Sequence, residues 1–139
     1  MWRHYALLSA AFAALTAVFA KIGVKAVDSN LATAIRTVVV LGIAWGIVLS
    51  GGNPWHEIGK IPGRTWAFLV LSGVATGLSW LCYFKALQTG DVSRVASIDK
   101  LSVVMTLVLA FVWLKEPVSP KVILGAFLIM AGSIVMLSK

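Results

Sequence analysis

The chain has 139 residues, 60% of them hydrophobic and only 12% charged, with a mean hydropathy of +0.95. Soluble domains are roughly 45–50% apolar, so this composition excludes an ordinary water-soluble domain and indicates an all-α integral membrane protein in a lipid bilayer. The formal net charge of +7 would suit nucleic acid in a soluble domain, but here the cations stand singly at the ends of apolar runs, where Lys and Arg anchor helices. No nucleic-acid partner is expected, and the lone Cys82 allows no intrachain disulfide.

The first apolar run is read as a mature helix over about 5–24. It follows Met1-Trp2-Arg3-His4 in the manner of a signal peptide, but it is long enough to span, and four more apolar segments follow. Ala10, Ala13, Ala14, Ala17 and Ala20 give it a small-residue surface for close helix packing. Lys21 and Lys25 end it, and Asp28-Ser29-Asn30 offers an N-cap for the next helix.

The second helix is expected over about 31–49, stopped by Gly51-Gly52-Asn53-Pro54. Arg36 lies about 9 Å inside it by helical rise. It either snorkels to the surface or meets Asp99, which enters from the same side to a similar depth, as an ion pair. The connection from Gly51 to Arg64 is the longest. Trp55, Trp66, His56, Glu57 and Lys60 suit the headgroup layer, and neither a phosphate loop nor a zinc site fits its spacing.

The third helix is expected over about 65–87. Ser72, Thr76, Ser79 and Tyr83 recur at four, three and four residues and so share one face. Gly73 and Gly77 form a close-packing motif beside it. The stripe either lines a solute pathway or makes interhelical hydrogen bonds. Trp80 and Tyr83 add the aromatic surface that binds organic solutes.

The fourth helix carries the main functional clue. Its purely apolar part, Leu101 to Leu114, covers only about 21 Å, short of a hydrocarbon core of roughly 30 Å. A span over 93–114 therefore places Asp99 and Lys100 below the membrane surface, where ionisable groups normally face a partner or a water-filled cavity. Asp99, Ser102 and Thr106, three and four residues apart, form a second polar stripe, while Lys100 points elsewhere. Ser119-Pro120 then supplies an N-cap with proline at the first helical position for a fifth helix over 120–137. Gly125 and Gly132 present a glycine seam there for another helix.

From Trp80 onward, YFKAL, SRVASIDKLSVVMTLVLAFVWLKE and ILGAFLIMAGSIVML resemble the second half of an EamA repeat of the drug/metabolite transporter superfamily. Phe19-Ala20-Lys21 and Arg36 also resemble that repeat, so the likeness covers nearly the whole chain. It implies a fold of five transmembrane helices forming one EamA-like repeat, a single domain over 1–139, in a bacterial or archaeal plasma membrane. Many such repeats have a proline in helix four; Asp99-Lys100-Leu101 stands there instead, resembling a single-repeat subgroup. Glu116 matches the family's acidic residue at the end of that helix and is read as a cap or interface residue.

Five crossings place the ends of the unit on opposite sides, so a second copy can pair with it only in inverted orientation to form an inverted-repeat transporter. Arg3, Lys60, Arg64, Lys115 and Lys121 fall on one side and Lys21, Lys25, Lys85, Arg94 and Lys139 on the other, five against five. The positive-inside rule has little to act on; counting Arg36 and Lys100 favours the second side as cytoplasmic. The expectation is a secondary transporter of a small organic solute, working by alternating access as a dual-topology, antiparallel homodimer. Asp99, Lys100, Arg36, Ser102, Thr106, Ser72, Thr76, Ser79, Trp80 and Tyr83 are its candidate substrate and coupling residues, and Gly73, Gly77, Gly125 and Gly132 its packing positions. The alternative is a non-transporting subunit that pairs with a different five-helix protein. No cofactor motif, metal cluster or nucleophile–base constellation points to an enzyme.

Overall fold

The computed structural model of the chain describes residues 1–52, Trp55 and 58–138. His56, Glu57, Asn53 and Pro54, part of the expected headgroup segment and helix stop, lie outside the described residues. The described chain is helical: α1 (Trp2–Gly23), α2 (Ser29–Ser50), α3 (Gly63–Thr89), α4 (Val92–Asp99), α5 (Leu101–Trp113) and α6 (Pro120–Leu137). α4 and α5 together make one span, so five stretches of 18 to 27 residues are long and apolar enough to cross a bilayer. At 1.5 Å per residue these cover about 27–40 Å, matching the hydrocarbon thickness.

The helix ends follow from local chemistry. Asp28 caps α2, its Oδ1 accepting from the amides of Asn30 at 2.9 Å and Leu31 at 3.3 Å. Ser119 caps α6, its Oγ accepting from Val122 at 3.4 Å with Pro120 at the first helical position, where a missing N–H costs nothing. α2 ends at Gly51, and Gly52 has φ 136°, a conformation that only glycine adopts readily. α5 ends differently. Lys115 adopts a left-handed φ of 53°, and the turn brings the Glu116 amide to the Ala110 carbonyl at 3.2 Å. The backbone of Glu116 thus contributes to the helix end.

The chain divides into two compact units, residues 1–19 with 89–139 and residues 20–88. In the first, α4, α5 and α6 pack together. Val95, Ser97 and Ser133 are buried there. Ser97 Oγ donates to the Ser93 carbonyl at 2.7 Å and lies 3.0 Å from Met136 Sδ, so the hydroxyl is satisfied before it reaches lipid.

In the second unit, Val24, Phe84, Leu87, Ser29 and Thr33 are buried. Lys21 Nζ donates to the Leu87 carbonyl at 2.6 Å, and Gln88 Nε2 donates to the carbonyls of Val24 at 3.5 Å and Val27 at 3.3 Å. These bonds fasten the end of α3 to the turn between α1 and α2. They also satisfy carbonyls that helix ends leave open.

Replacing Asp28 by Ala should lower stability by about 0.5–2 kcal/mol and by Asn much less. Replacing Lys115 by Gly should raise it by about 1 kcal/mol by relieving the left-handed conformation. Unfolding titrations in mixed detergent micelles read both.

Candidate functional site

Arg36 sits seven positions after the start of α2 at Ser29. In helical rise that is about 10 Å inside the span. Its guanidinium carbon lies 3.9 Å from the centroid of the Trp80 ring and 5.4 Å from that of Phe84. Trp80 and Phe84 are four residues apart on α3, so one helix face supplies both rings. Phe84 is buried, while Arg36 and Trp80 are half-buried. The ring faces attract the cation electrostatically, by about 0.5–2 kcal/mol when the site is partly desolvated.

Tyr83 is half-buried on the adjoining face of α3, and Ser72, Thr76 and Ser79 are exposed farther along it. Thr76 Oγ1 donates to the Ser72 carbonyl at 2.9 Å. On α2, Thr33 and Thr37 use their hydroxyls in the same way, each donating to the carbonyl four residues back at 2.8 Å. The donors are therefore occupied within the helix, while the hydroxyl lone pairs remain able to accept.

In the other unit, Asp99 and Lys100 stand at the junction of α4 and α5. The Lys100 amide still reaches the Ala96 carbonyl at 3.3 Å, but the Val103 amide takes the Lys100 carbonyl at 3.1 Å, three residues back. This tighter turn interrupts the α-helical register at the charged pair. Neither proline nor glycine is present; Ser97, which bonds back to Ser93 one turn earlier, is the kind of residue that bends a helix. Asp99, Lys100, Ser102 and Thr106 are all exposed. Arg94, nearer the helix start, lies 3.8 Å from Asp91. Arg36 and Asp99 belong to different units.

A cleft of about 520 Å³ runs between α5 and α6, lined by Val104, Leu107, Phe111, Ile123, Phe127 and other apolar side chains. It lacks the convergent polar groups that orient a solute, and so fits a lipid tail or another helix better than an organic substrate. A Cβ added at Gly73, Gly77, Gly125 or Gly132 would meet nothing within 4 Å. Packing within each unit does not require these glycines.

Sequence periodicity placed Tyr83 on the α3 stripe, with Trp80 adding aromatic surface, but gave no sign that Phe84 would join Trp80 near Arg36. Phe84 follows Trp80 at i+4, the one spacing that could have suggested it. Lys21 and Gln88 are long polar side chains whose partners are backbone carbonyls, and carbonyls leave no mark in a sequence.

Five apolar spans with few buried side chains among the described residues define a multi-pass membrane protein. The EamA-like transporter family matches residues 1–138, and the chain belongs to that family as a single EamA-like unit of the drug/metabolite transporter superfamily. It is 53% identical over 135 residues, 97% of this chain and 95% of the other, to a Sinorhizobium sp. protein described as an uncharacterized transporter in the cobO 3′ region. No solved structure matches it.

If stacking couples Arg36 to Trp80, the double-mutant cycle of Arg36→Gln and Trp80→Leu should yield an interaction energy of about 0.5–2 kcal/mol. Detergent unfolding titrations of the four proteins measure it; additive losses would mean that the two side chains act independently.

Proposed function

We propose that the protein is a secondary transporter that moves a small organic solute by alternating access, as an antiparallel homodimer of two copies inserted in opposite orientations. The observation that carries this reading is the single five-span unit whose spanning windows are at most 11% buried within the chain. Apolar outer surface is satisfied by lipid, but exposed intramembrane charge and hydroxyls need a cavity or a partner. Five crossings make a second copy complementary only when inverted. The even distribution of surface cations gives insertion no strong preferred direction.

In this arrangement Ser72, Thr76, Ser79, Trp80 and Tyr83 face the solute from α3, and Asp99, Ser102 and Thr106 face it from the α4–α5 span. Asp99 binds a proton, a cation or a substrate amine, or serves as the structural partner of Arg36. Lys100 holds an anion or snorkels to the surface. Gly73, Gly77, Gly125 and Gly132, open within the chain, receive helices of the partner copy. The chemistry is translocation, not catalysis, and the setting is a bacterial or archaeal plasma membrane.

The test is the location of both ends in intact cells. Single cysteines are placed beyond Met1 and Lys139 in a Cys82-free background and labelled with an impermeant thiol reagent. Labelling of each end from both sides is expected. Labelling of each from one side only overturns dual topology, and a different five-helix protein found on purification would identify the chain as one subunit of a fixed-orientation pair.

A further inference from the structure

The Trp80 and Phe84 rings meet the charge of Arg36 but offer its N–H donors no oxygen. A guanidinium carries five such donors, in a planar fork matched to two oxygens of a carboxylate or phosphate. Among the described residues of 20–88, no acceptor lies within hydrogen-bond distance of Arg36, and Asp28 is the only carboxylate there. Asp28 is committed to the α2 cap, about 12 Å away along the helix. The other fixed charges described in that unit on the side from which Arg36 enters are Lys21, Lys25 and Lys85, so the local field favours an anion.

We infer that the Arg36–Trp80 pair is an oxyanion site, and that the solute is an organic anion whose carboxylate or phosphate takes the edge of the Arg36 fork. This rests on the transporter reading for its physiological meaning. The geometry supplies what such a ligand requires. Contact with Trp80 restrains the Arg36 side chain and lowers the entropy lost on binding. The aromatic and hydroxyl-bearing face of α3 continues from Trp80 through Thr76 to Ser72, giving an amphipathic body a surface to lie on. A half-buried cation inside a span is costly unpaired, and the ligand's charge offsets that cost only while it is bound. A lipid phosphate offers the same oxyanion chemistry, so the test must separate the two sources.

Purified protein in phosphatidylcholine nanodiscs is titrated with radiolabelled benzoate and phenyl phosphate, with benzamide and benzamidine as neutral and cationic competitors of the same shape. The anions should bind and displace one another, and benzamidine should not compete. Arg36→Gln should weaken anion binding at least about ten-fold, Arg36→Lys should fall between, and Trp80→Leu should weaken it several-fold. The ligand ranking is read on the unmodified protein, so misfolding of a variant does not remove the test.

Failure of both anions to bind up to about 10 mM, a range that still detects free energies of only a few kcal/mol, overturns the inference. Benzamidine outcompeting benzoate does the same. So does anion binding that appears only in Asp99→Asn, because Arg36 would then be held by Asp99. If phosphatidylglycerol displaces benzoate, the oxyanion is a lipid headgroup and the assignment of the solute falls. Anion binding as expected with no solute movement in proteoliposomes keeps the site and defeats the transporter reading; transport of an organic cation without anion binding does the reverse.

Discussion

A cation placed about two turns inside an apolar helix is the constraint from which most of the functional argument follows. Hydrocarbon offers Arg36 neither water nor counter-ion, so the fold must supply a substitute. It supplies the faces of Trp80 and Phe84, which stabilise the charge without neutralising it. A carboxylate in their place would cancel the charge and close the site. The rings instead meet the charge while offering its N–H donors no oxygen acceptor.

The same economy governs the rest of the interior. Among the described residues only small groups of side chains are buried, including Val24, Phe84 and Leu87 in one unit and Val95, Ser97 and Ser133 in the other. Apolar side chains such as Leu7, Phe12, Val38, Phe68, Met105 and Phe127 are exposed along the helices. In water such a surface would aggregate; in lipid it carries no penalty, because lipid tails are as apolar as the side chains themselves. The specific interactions that remain are polar ones at helix ends and back-bonded hydroxyls, each satisfying a group that the bilayer cannot. Glycines with open space beside them belong to this pattern, since close approach of a further helix is what would make use of them.

Much of this architecture was legible in the sequence because it is written in local chemistry. Apolar length gives the five spans, Asp28 announces the start of α2, and Ser119-Pro120 announces the start of α6. The polar stripes of α3 could be read because periodicity is a property of one helix. What escaped depends on two helices at once: Arg36 finding Trp80 and Phe84, or Lys21 and Gln88 finding carbonyls near the end of α3 and the α1–α2 turn. Long flexible side chains reach many positions, and their spacing in sequence does not choose among them. The break at Lys100 escaped for another reason. With neither proline nor glycine there, the local sequence carries no strong breaker, and the back-bond from Ser97 to the Ser93 carbonyl is visible only once the helix exists.

That break bears on the rigidity of the span that carries it. A continuous 22-residue helix resists bending through its ladder of hydrogen bonds, whereas this span turns more tightly between Lys100 and Val103, so its ladder is interrupted there. The interruption falls beside Asp99, three residues before Ser102 and seven before Thr106 on the same stripe. A proline at this position would interrupt the ladder by removing a donor permanently; the Asp99-Lys100 junction interrupts it with every backbone donor still present.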